Sequence, residues 1–326
     1  RANVESKFSI AKVNNSMQYV TTRDAKFYYS EEEFRSKGIN YYPADYPWDL
    51  FWPNFHKIPL KDDFELISNA GFNTVRIFVP YHQFGGSNVD DNELKKLTGL
   101  LDLAQSNNLK VIVTLFDFFL DYSVDRWTLS ERHLEKVVSS FKDHPAIMAW
   151  DIKNEPDLDF EQHGKNEVKE WLKFITLCIR KYDSNHLVTI GWSNPKYLDD
   201  ISDYVDYYSF HYYNDPKELN NYLEMDFDKP IVLEETGQHS YNAWWYPFHK
   251  SAQDQEDYTS EILEVIDHYD LSYSFWTLYD FQNIPDNVVG TVYWRKGIQK
   301  NFGFIDRYNK PKPSFEVVKN YNLLEL

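Results

Sequence analysis

Two glutamates that follow short apolar segments are candidates for acid–base chemistry. Glu155 lies within the Asn-Glu-Pro sequence of residues 154–156, directly after an apolar segment. Glu235 lies within the Glu-Glu-Thr-Gly sequence of residues 234–237, after another apolar segment. Hydrolysis of a glycoside requires two carboxylates beside one bond, because one protonates the leaving oxygen while the other attacks or activates water. The sequence therefore indicates a glycosidic bond as a candidate substrate, provided that the fold brings the two carboxylates together.

Further side chains with chemical capability also lie where apolar segments end. These residues are Arg76, Asp117, Asn154, His211, Tyr213 and Trp276. A single polar residue at such a place only marks the end of a strand. In a barrel, however, catalytic residues concentrate at the carboxyl ends of the strands, so the whole set favours one common site.

Eight apolar, strand-like segments alternate with amphipathic helical segments. The predicted strands are Gly38–Tyr42, Asn73–Val79, Lys110–Phe116, Ile147–Ile152, Leu187–Gly191, Val205–Phe210, Ile231–Leu233 and Leu271–Trp276. This alternation predicts a parallel sheet covered by helices. Eight strands favour a closed (β/α)₈ TIM barrel, and no Gly-rich phosphate loop points to a doubly wound sheet. The fourth and seventh strands face each other in such a barrel, so Glu155 and Glu235 can meet over its mouth.

The first residues do not fit the repeat. We expect one or two accessory strands within Phe8–Tyr29 that cover the bottom or side of the barrel. No linker or internal repeat divides the chain, which predicts a single domain: residues 1–37 form an N-terminal accessory segment and residues 38–326 the catalytic barrel.

Several segments resemble glycoside hydrolase family 5, the cellulase and mannanase family of clan A. Residues 150–156 (Trp-Asp-Ile-Lys-Asn-Glu-Pro) are similar to its strand-4 signature, and residues 229–237 to its strand-7 signature. Residues 73–77, 209–213 and 274–279 resemble its second, sixth and eighth strands. The matches run in order from Gly38 to about Phe315. One departure is Asp117, since the family commonly carries a histidine at the end of strand 3.

The resemblance implies a role for each residue of the site. Glu155 would be the acid/base, and the register of the strand-7 signature makes Glu235, rather than Glu234, the nucleophile. We expect burial and a neighbouring carboxylate to raise the pKa of Glu155, and Arg76 to keep Glu235 ionised.

Four further roles follow from the same resemblance. Tyr213 would donate to the nucleophile, and His211 would order sugar hydroxyls. Asn154 would bind the 2-hydroxyl group, and Trp276 would form the floor of the subsite for the cleaved sugar.

Other side chains near strand ends are candidates for further sugar contacts. The aromatic ones are Trp48, Trp127, Trp245 and Tyr279, chosen because 18% of the chain is aromatic and such rings stack on sugars. Each of these rings can equally well pack a loop against the barrel. Asp117 is expected either to bind a sugar hydroxyl or to hold Arg76.

Composition limits the partners. A net charge of −17 argues against nucleic acid and anionic membranes and is compatible with a neutral poly- or oligosaccharide. No apolar segment is long enough to span a membrane. The 10 histidines are scattered and the chain has one cysteine, so we expect no metal and no cofactor. A monomer that is secreted or associated with the cell envelope is expected.

The sequence thus predicts a retaining, endo-acting β-glycanase that cleaves β-1,4-linked glucan or mannan. The endo mode is inferred from aromatic residues in several loops, which suggest an extended cleft. One alternative is an exo-acting β-glycosidase of the β-mannosidase type. Another is a non-catalytic carbohydrate-binding barrel, although both carboxylates are intact.

Overall fold

The computed structural model describes residues 18–324, and these form a closed barrel of eight parallel strands. The strands, which we number β1–β8, are Lys37–Asn40, Thr74–Val79, Lys110–Leu115, Ile147–Asn154, Leu187–Trp192, Tyr208–Tyr212, Ile231–Thr236 and Ser272–Phe275. Each strand pairs with the next, and β8 closes the barrel on β1. The predicted (β/α)₈ fold is confirmed.

Helices of ten or more residues surround the barrel. They are α1 (Leu60–Asn69), α2 (Asp91–Ser106), α3 (Trp127–Phe141), α4 (Lys165–Tyr182), α5 (Ala252–His268) and α6 (Pro313–Leu324). Shorter helical segments follow most strands: Trp48–Leu50, Trp52–Lys57, Val124–Arg126, Pro156–Asp159, Phe160–His163, Pro195–Tyr197, Ser202–Tyr204, Pro216–Leu219, Asn220–Leu223, Asp286–Val289 and Tyr293–Lys300. Among the described residues, no helix is both long and apolar enough to cross a membrane.

The helices and strands form where local chemistry favours them. Every residue of β2 and β3 is buried, as expected for parallel strands covered on both faces. Ser251 caps α5 through a reciprocal capping box with Asp254, and the Asp90 side chain caps α2. Most of the core is one apolar cluster between the sheet and these helices.

A small antiparallel sheet precedes the barrel. Its three strands are Thr21–Arg23, Lys26–Tyr29 and Glu32–Phe34. Phe27 packs edge-on against Tyr207 at 5.0 Å and joins a core cluster with residues near the amino ends of the barrel strands. The sheet therefore covers the bottom of the barrel. The part of the predicted accessory strands before residue 18 lies outside the described residues.

Two boundaries differ from prediction. The sixth strand begins at Tyr208 rather than Val205, because Asp206 turns back to accept a hydrogen bond from the amide of Val188 and pairs with Arg180. The region after β8 contains two helices, Asp286–Val289 and Tyr293–Lys300, that the sequence pattern did not reveal.

Candidate active site

Glu155 is directed into the barrel mouth by a sharp turn at the end of β4. Its φ of 47° lies in the left-handed region, which non-glycine residues rarely adopt, and Pro156 begins a 3-10 turn immediately afterwards. The backbone N–H of Glu155 donates to the carbonyl of Gly191 at 2.8 Å, which ties this turn to β5. The strained conformation is stabilised by these flanking contacts, and such strain is typical of functional positions.

Glu235 lies at the end of β7, beside a fully buried glutamate. The pairing of β7 with β6 is irregular between Leu233 and Glu235, so the adjacent carboxylates take different environments. Glu234 has no solvent exposure, whereas Glu235 lines the open cleft. Gly237 follows, and a Cβ atom there would lie 2.3 Å from the backbone oxygen of Trp276. Only glycine allows this close approach of β7 and β8.

Arg76 of β2 is the buried cation that joins the acidic groups. Its guanidinium lies 2.9 Å from Glu235 Oε2, 3.1 Å from Glu234 Oε1 and 2.9 Å from Asp151 Oδ2. Neighbouring carboxylates keep its pKa above the ordinary value, although burial opposes this. Arg76 also donates to Asn154 Oδ1 at 2.8 Å, so the amide group of Asn154 is left to donate towards the cleft.

His211 of β6 connects the two candidate catalytic carboxylates from below. Its Nδ1 lies 3.1 Å from Glu155 Oε2 and 3.5 Å from Glu235 Oε2. These two oxygens are therefore no further apart than the sum of the two distances, about 6.6 Å. The ring is fully buried and its Nε2 faces Glu234 Oε2 at 3.5 Å. The ring of His211 therefore contacts carboxylates through both nitrogens and does not line the cleft, so the structure shows a contact with Glu155 and none with the surface where a sugar would bind.

The protonation pattern differs from the expectation for Glu155. Burial raises the pKa of Glu155, but the hydrogen bond and charge of His211 and the charge of Arg76 outweigh it, so that pKa lies below its ordinary value. Burial lowers the pKa of His211, whereas the charges of Glu235 and Glu155 and a contact with Glu234 raise it to about 10. The surrounding charges therefore favour the shared proton on His211 rather than on Glu155.

Tyr213 and Trp276 complete the surroundings of the two carboxylates. The hydroxyl of Tyr213 donates a short hydrogen bond to Glu235 Oε1. Trp276 follows β8, lines the cleft, and packs against Trp48 with ring centroids 5.6 Å apart. Tyr213 thus contacts Glu235 directly, and Trp276 forms part of the cleft wall.

The cleft has a volume of about 330 Å³, within the size range of small-molecule sites. It is lined by Trp48, Phe78, Asp117, Phe118, Leu120, Lys153, Asn154, Glu155, Leu158, Asp159, Glu235, Trp276, Val288 and Gln299. These residues come from the ends of β1–β4, β7 and β8 and the loops after them. The concave surface therefore extends to one side of the glutamate pair.

Three of the predicted aromatic contacts lie elsewhere. Trp127 is the first residue of α3, and its ring stacks on Phe174 of α4. This contact packs the two helices together. The hydroxyl of Tyr279 donates to the buried Asp63 of α1 on the outer side of the barrel. Trp245 is 48% exposed and lines a separate pocket formed by the segments after β7 and β8.

Asp117 lies in the cleft and does not hold Arg76. Among the described residues, the guanidinium contacts go to Asp151, Glu234, Glu235 and two asparagines. Burial raises the pKa of Asp117 to about 6, against the opposing charges of Lys153 and Arg76.

Sequence reasoning missed the buried polar layer under the site. Asp151 accepts from Arg76 and from Thr114, and burial and Glu234 raise its pKa to about 7. Asn40 of β1 accepts from Arg76 at 2.9 Å and donates to the backbone of Glu234. The available signal was a polar residue inside an otherwise apolar strand, as in the Trp-Asp-Ile-Lys sequence of residues 150–153.

A (β/α)₈ barrel that carries two adjacent carboxylates, an arginine and a tryptophan at its carboxyl rim defines the class of glycoside hydrolases that act through paired acids. The family comparison agrees. The model of the cellulase family, glycosyl hydrolase family 5, matches residues 29–282, and the chain belongs to this family.

Individual relatives are distant. A probable mannan endo-1,4-beta-mannosidase C of Aspergillus terreus is 24% identical over 208 residues, which cover 54% of this chain and 47% of that protein. The mannan endo-1,4-beta-mannosidase of Cryptopygus antarcticus is 22% identical over 296 residues, which cover 68% of this chain and 77% of that protein. The chain thus matches about half the length of the first relative.

Solved structures share the fold. An exo-beta-1,4-mannosidase from Opitutaceae bacterium strain TAV5 has a TM-score of 0.77 and 18% identity, and the match covers 94% of this chain and 62% of that one.

Proposed function

We propose that this protein hydrolyses β-1,4-mannosidic bonds with retention of configuration, with Glu155 as acid/base and Glu235 as nucleophile. The observation that carries this proposal is the shared contact of both carboxylates with His211 Nδ1. This contact limits the distance between Glu155 Oε2 and Glu235 Oε2 to about 6.6 Å or less. Retaining enzymes place the two carboxyl groups about 5–5.5 Å apart, whereas inverting enzymes need about 6.5–9.5 Å to admit a water molecule. Mannose is favoured over glucose by the activities named for the relatives.

The reaction proceeds by two displacements. In the first, an oxygen of Glu235 forms a bond to the anomeric carbon while the glycosidic bond breaks, and Glu155 gives its proton to the leaving oxygen. In the second, Glu155 takes a proton from water, the water oxygen bonds to the anomeric carbon, and Glu235 is released as a carboxylate. Arg76 and Tyr213 both contact Glu235 and stabilise its negative charge before attack and after release.

Glu155 must carry a proton before the first displacement, because it acts there as the acid. The Nδ1–H of His211 faces Glu155 Oε2 at 3.1 Å, so moving this proton onto Glu155 creates the acid. Substrate that fills the cleft excludes water from Glu155, and desolvation favours its neutral form. Binding and proton transfer are therefore coupled.

The shape of the cleft favours cleavage at a chain end. The endo expectation depended on aromatic residues in many loops, but Trp127 and Tyr279 pack elsewhere. Val288 and Gln299, from the segment after β8, join the wall of a cleft that extends to one side of the glutamates. We therefore propose release of terminal mannose units. Internal cleavage, the activity named for the curated relatives, is the second candidate.

Three substrates separate these possibilities. The protein is incubated with β-1,4-mannan, mannohexaose and 4-nitrophenyl β-D-mannopyranoside, with carboxymethyl cellulose as the glucan control. Mannose as the first product from mannohexaose, together with turnover of the aryl mannoside, supports the chain-end mode. Mannobiose and mannotriose as first products, with a rapid fall in mannan viscosity, support the internal mode. If no mannoside is hydrolysed, the proposed specificity is wrong.

A non-catalytic role is tested with Glu155→Gln and Glu235→Gln. We expect each variant to lose at least about 10³-fold in kcat on mannobiose, since each removes a group that acts only in the transition state. Lys153 and Asp159 are left in place in both variants, which keeps the rest of the cleft intact. Hydrolysis at the wild-type rate in either variant would exclude the assigned mechanism.

A further inference from the structure

The cleft contains charged side chains that the two displacements do not use, and Asp117 and Lys153 are two of them. Asp117 is 8% exposed and Lys153 is 2% exposed, and both line the cleft with the glutamates. Among the described residues, burial and the charges of nearby groups act on the carboxylate of Asp117, which has no hydrogen bond and no ion pair at or below 4.0 Å. A carboxylate that lines the cleft without a protein partner can accept hydrogen bonds from a ligand.

The backbone holds Asp117 in a fixed position. Its two neighbours both have positive φ, 50° for Phe116 and 60° for Phe118, which is costly for residues with side chains. Phe116 is fully buried against Trp171, with ring centroids 4.9 Å apart, and the N–H of Phe119 donates to the carbonyl of Phe116 at 3.0 Å. These contacts stabilise the strained turn, and the carboxylate is preorganised at the cleft wall.

Lys153 keeps hydrogen-bonding capacity of its own. Its Nζ lies 3.3 Å from the carbonyl of Phe116 and 3.5 Å from Asp159 Oδ2. An ammonium group has three donors, so one remains for a ligand. Lys153 and Asp117 influence each other's pKa but form no ion pair among the described contacts. The cleft thus presents an acceptor and a donor that do not satisfy each other.

We propose that Asp117 and Lys153 form a recognition subsite for hydroxyl groups of a neutral sugar on the non-reducing side of the cleaved bond; this inference rests on the proposed function. A sugar hydroxyl can donate to the carboxylate and accept from the ammonium. The apolar side chains of Phe118 and Leu158 border the same space and suit the C–H faces of the ring. An anionic sugar is disfavoured, because its carboxylate would meet Asp117, Asp159 and both catalytic glutamates.

The subsite is tested by a thermodynamic cycle in which one side chain of the enzyme and one hydroxyl of the substrate are removed, separately and together. We compare kcat/KM of the wild type and Asp117→Ala on 4-nitrophenyl β-D-mannopyranoside and on its 3-deoxy, 4-deoxy and 6-deoxy analogues. A hydrogen bond to a charged group is worth about 10- to 100-fold. For at least one deoxy analogue, we expect kcat/KM of the wild type to be lower by this factor than on the parent mannoside. For Asp117→Ala, the same comparison should show a loss of less than about threefold. Lys153→Ala should show the same loss of discrimination at that position or the adjacent one.

Controls separate the possible failures. Asp121→Asn removes an exposed charge from the same loop and should retain the full wild-type discrimination. Asp117→Asn, of nearly unchanged volume, shows whether loss in the alanine variant reflects misfolding, since it should fold and keep part of the discrimination. Equal losses in wild type and Asp117→Ala at every deoxy position would overturn the subsite, as would faster turnover of 4-nitrophenyl β-D-glucuronide than of the mannoside. Absence of activity on all mannosides in the wild type would instead refute the proposed function.

Discussion

His211 Nδ1 lies 3.1 Å from Glu155 Oε2, so the buried imidazole and the candidate acid/base share one proton. The pKa of His211 is raised to about 10 and that of Glu155 is lowered, so the pair holds its proton far above the range of an isolated glutamic acid. The acid function therefore belongs to the pair rather than to Glu155 alone.

Replacing His211 should narrow the pH range of activity. In the wild type the pair keeps its proton up to about pH 10, because deprotonation must remove it from His211. In His211→Gln the proton is held by Glu155 alone, which releases it at lower pH. We expect the alkaline limb of the kcat/KM profile to move downward by several pH units. His144→Gln, which removes a histidine paired with Asp102 outside the site, should leave the limb in place. An unchanged limb in His211→Gln would show that the pair does not supply the acid.

Arg76→Met should strongly destabilise the fold. The substitution leaves Asp151, Glu234 and Glu235 close together without their buried cation. Breaking a buried ion pair in this way costs about 3–5 kcal/mol of unfolding free energy. Urea denaturation at pH 7 measures the loss, which should shrink at acidic pH as the carboxylates become protonated. Arg132→Met, on the exposed surface of α3, should stay within about 0.5 kcal/mol of wild type. A loss for Arg76→Met no larger than this control would contradict the buried network.

Asp117→Asn should stabilise the protein near neutral pH. The pKa of Asp117 rises from 3.8 to about 6 in the folded state, so the folded protein binds more protons than the unfolded chain between these values. Stability contributed by this group is therefore lost as pH rises from about 4 to about 6. Removing the charge should increase the free energy of unfolding at pH 7 by about 2–3 kcal/mol. The gain in unfolding free energy should disappear near pH 4. Equal stability of the wild type and Asp117→Asn at pH 7 would contradict the raised pKa of Asp117.

Gly237→Ala should separate β7 from β8 at the site. The added Cβ would lie 2.3 Å from the backbone oxygen of Trp276, which cannot move as a side chain could. Overpacking of this kind costs about 1–3 kcal/mol, measurable by thermal or urea denaturation. Gly99→Ala in α2 is the matched control, because its Cβ would meet no atom within 4 Å and it should stabilise the helix slightly. Equal effects of the two substitutions would mean that β7 and β8 are not in tight contact.

The sequence predicted the rim of the barrel well, because strand ends follow from local patterns. Arg76, Tyr213 and Trp276 surround Glu155 and Glu235 in the structure, as the alternation of strands and helices required. The prediction depends only on where each strand ends and on the rule that parallel strands in a barrel share one carboxyl face.

What the sequence could not reveal depends on tertiary packing. His211 lies beneath the glutamates, and its raised pKa arises from carboxylates that are distant in sequence. Trp127 and Tyr279 follow strands as expected, but their loops carry them to helix contacts outside the cleft. Glu234 and Asp151 lie in apolar strands, and the pattern alone does not show that they meet around Arg76.

The assignment of Glu235 as nucleophile is tested most directly by trapping the covalent intermediate. The protein is treated with 2-deoxy-2-fluoro-β-D-mannosyl fluoride, digested, and analysed by mass spectrometry of the peptide that contains residues 229–237. We predict one fluoromannosyl group per chain, attached to Glu235 and absent in Glu235→Gln. Attachment to Glu234 or Glu155, or turnover of mannosides without any trapped ester, would contradict the account.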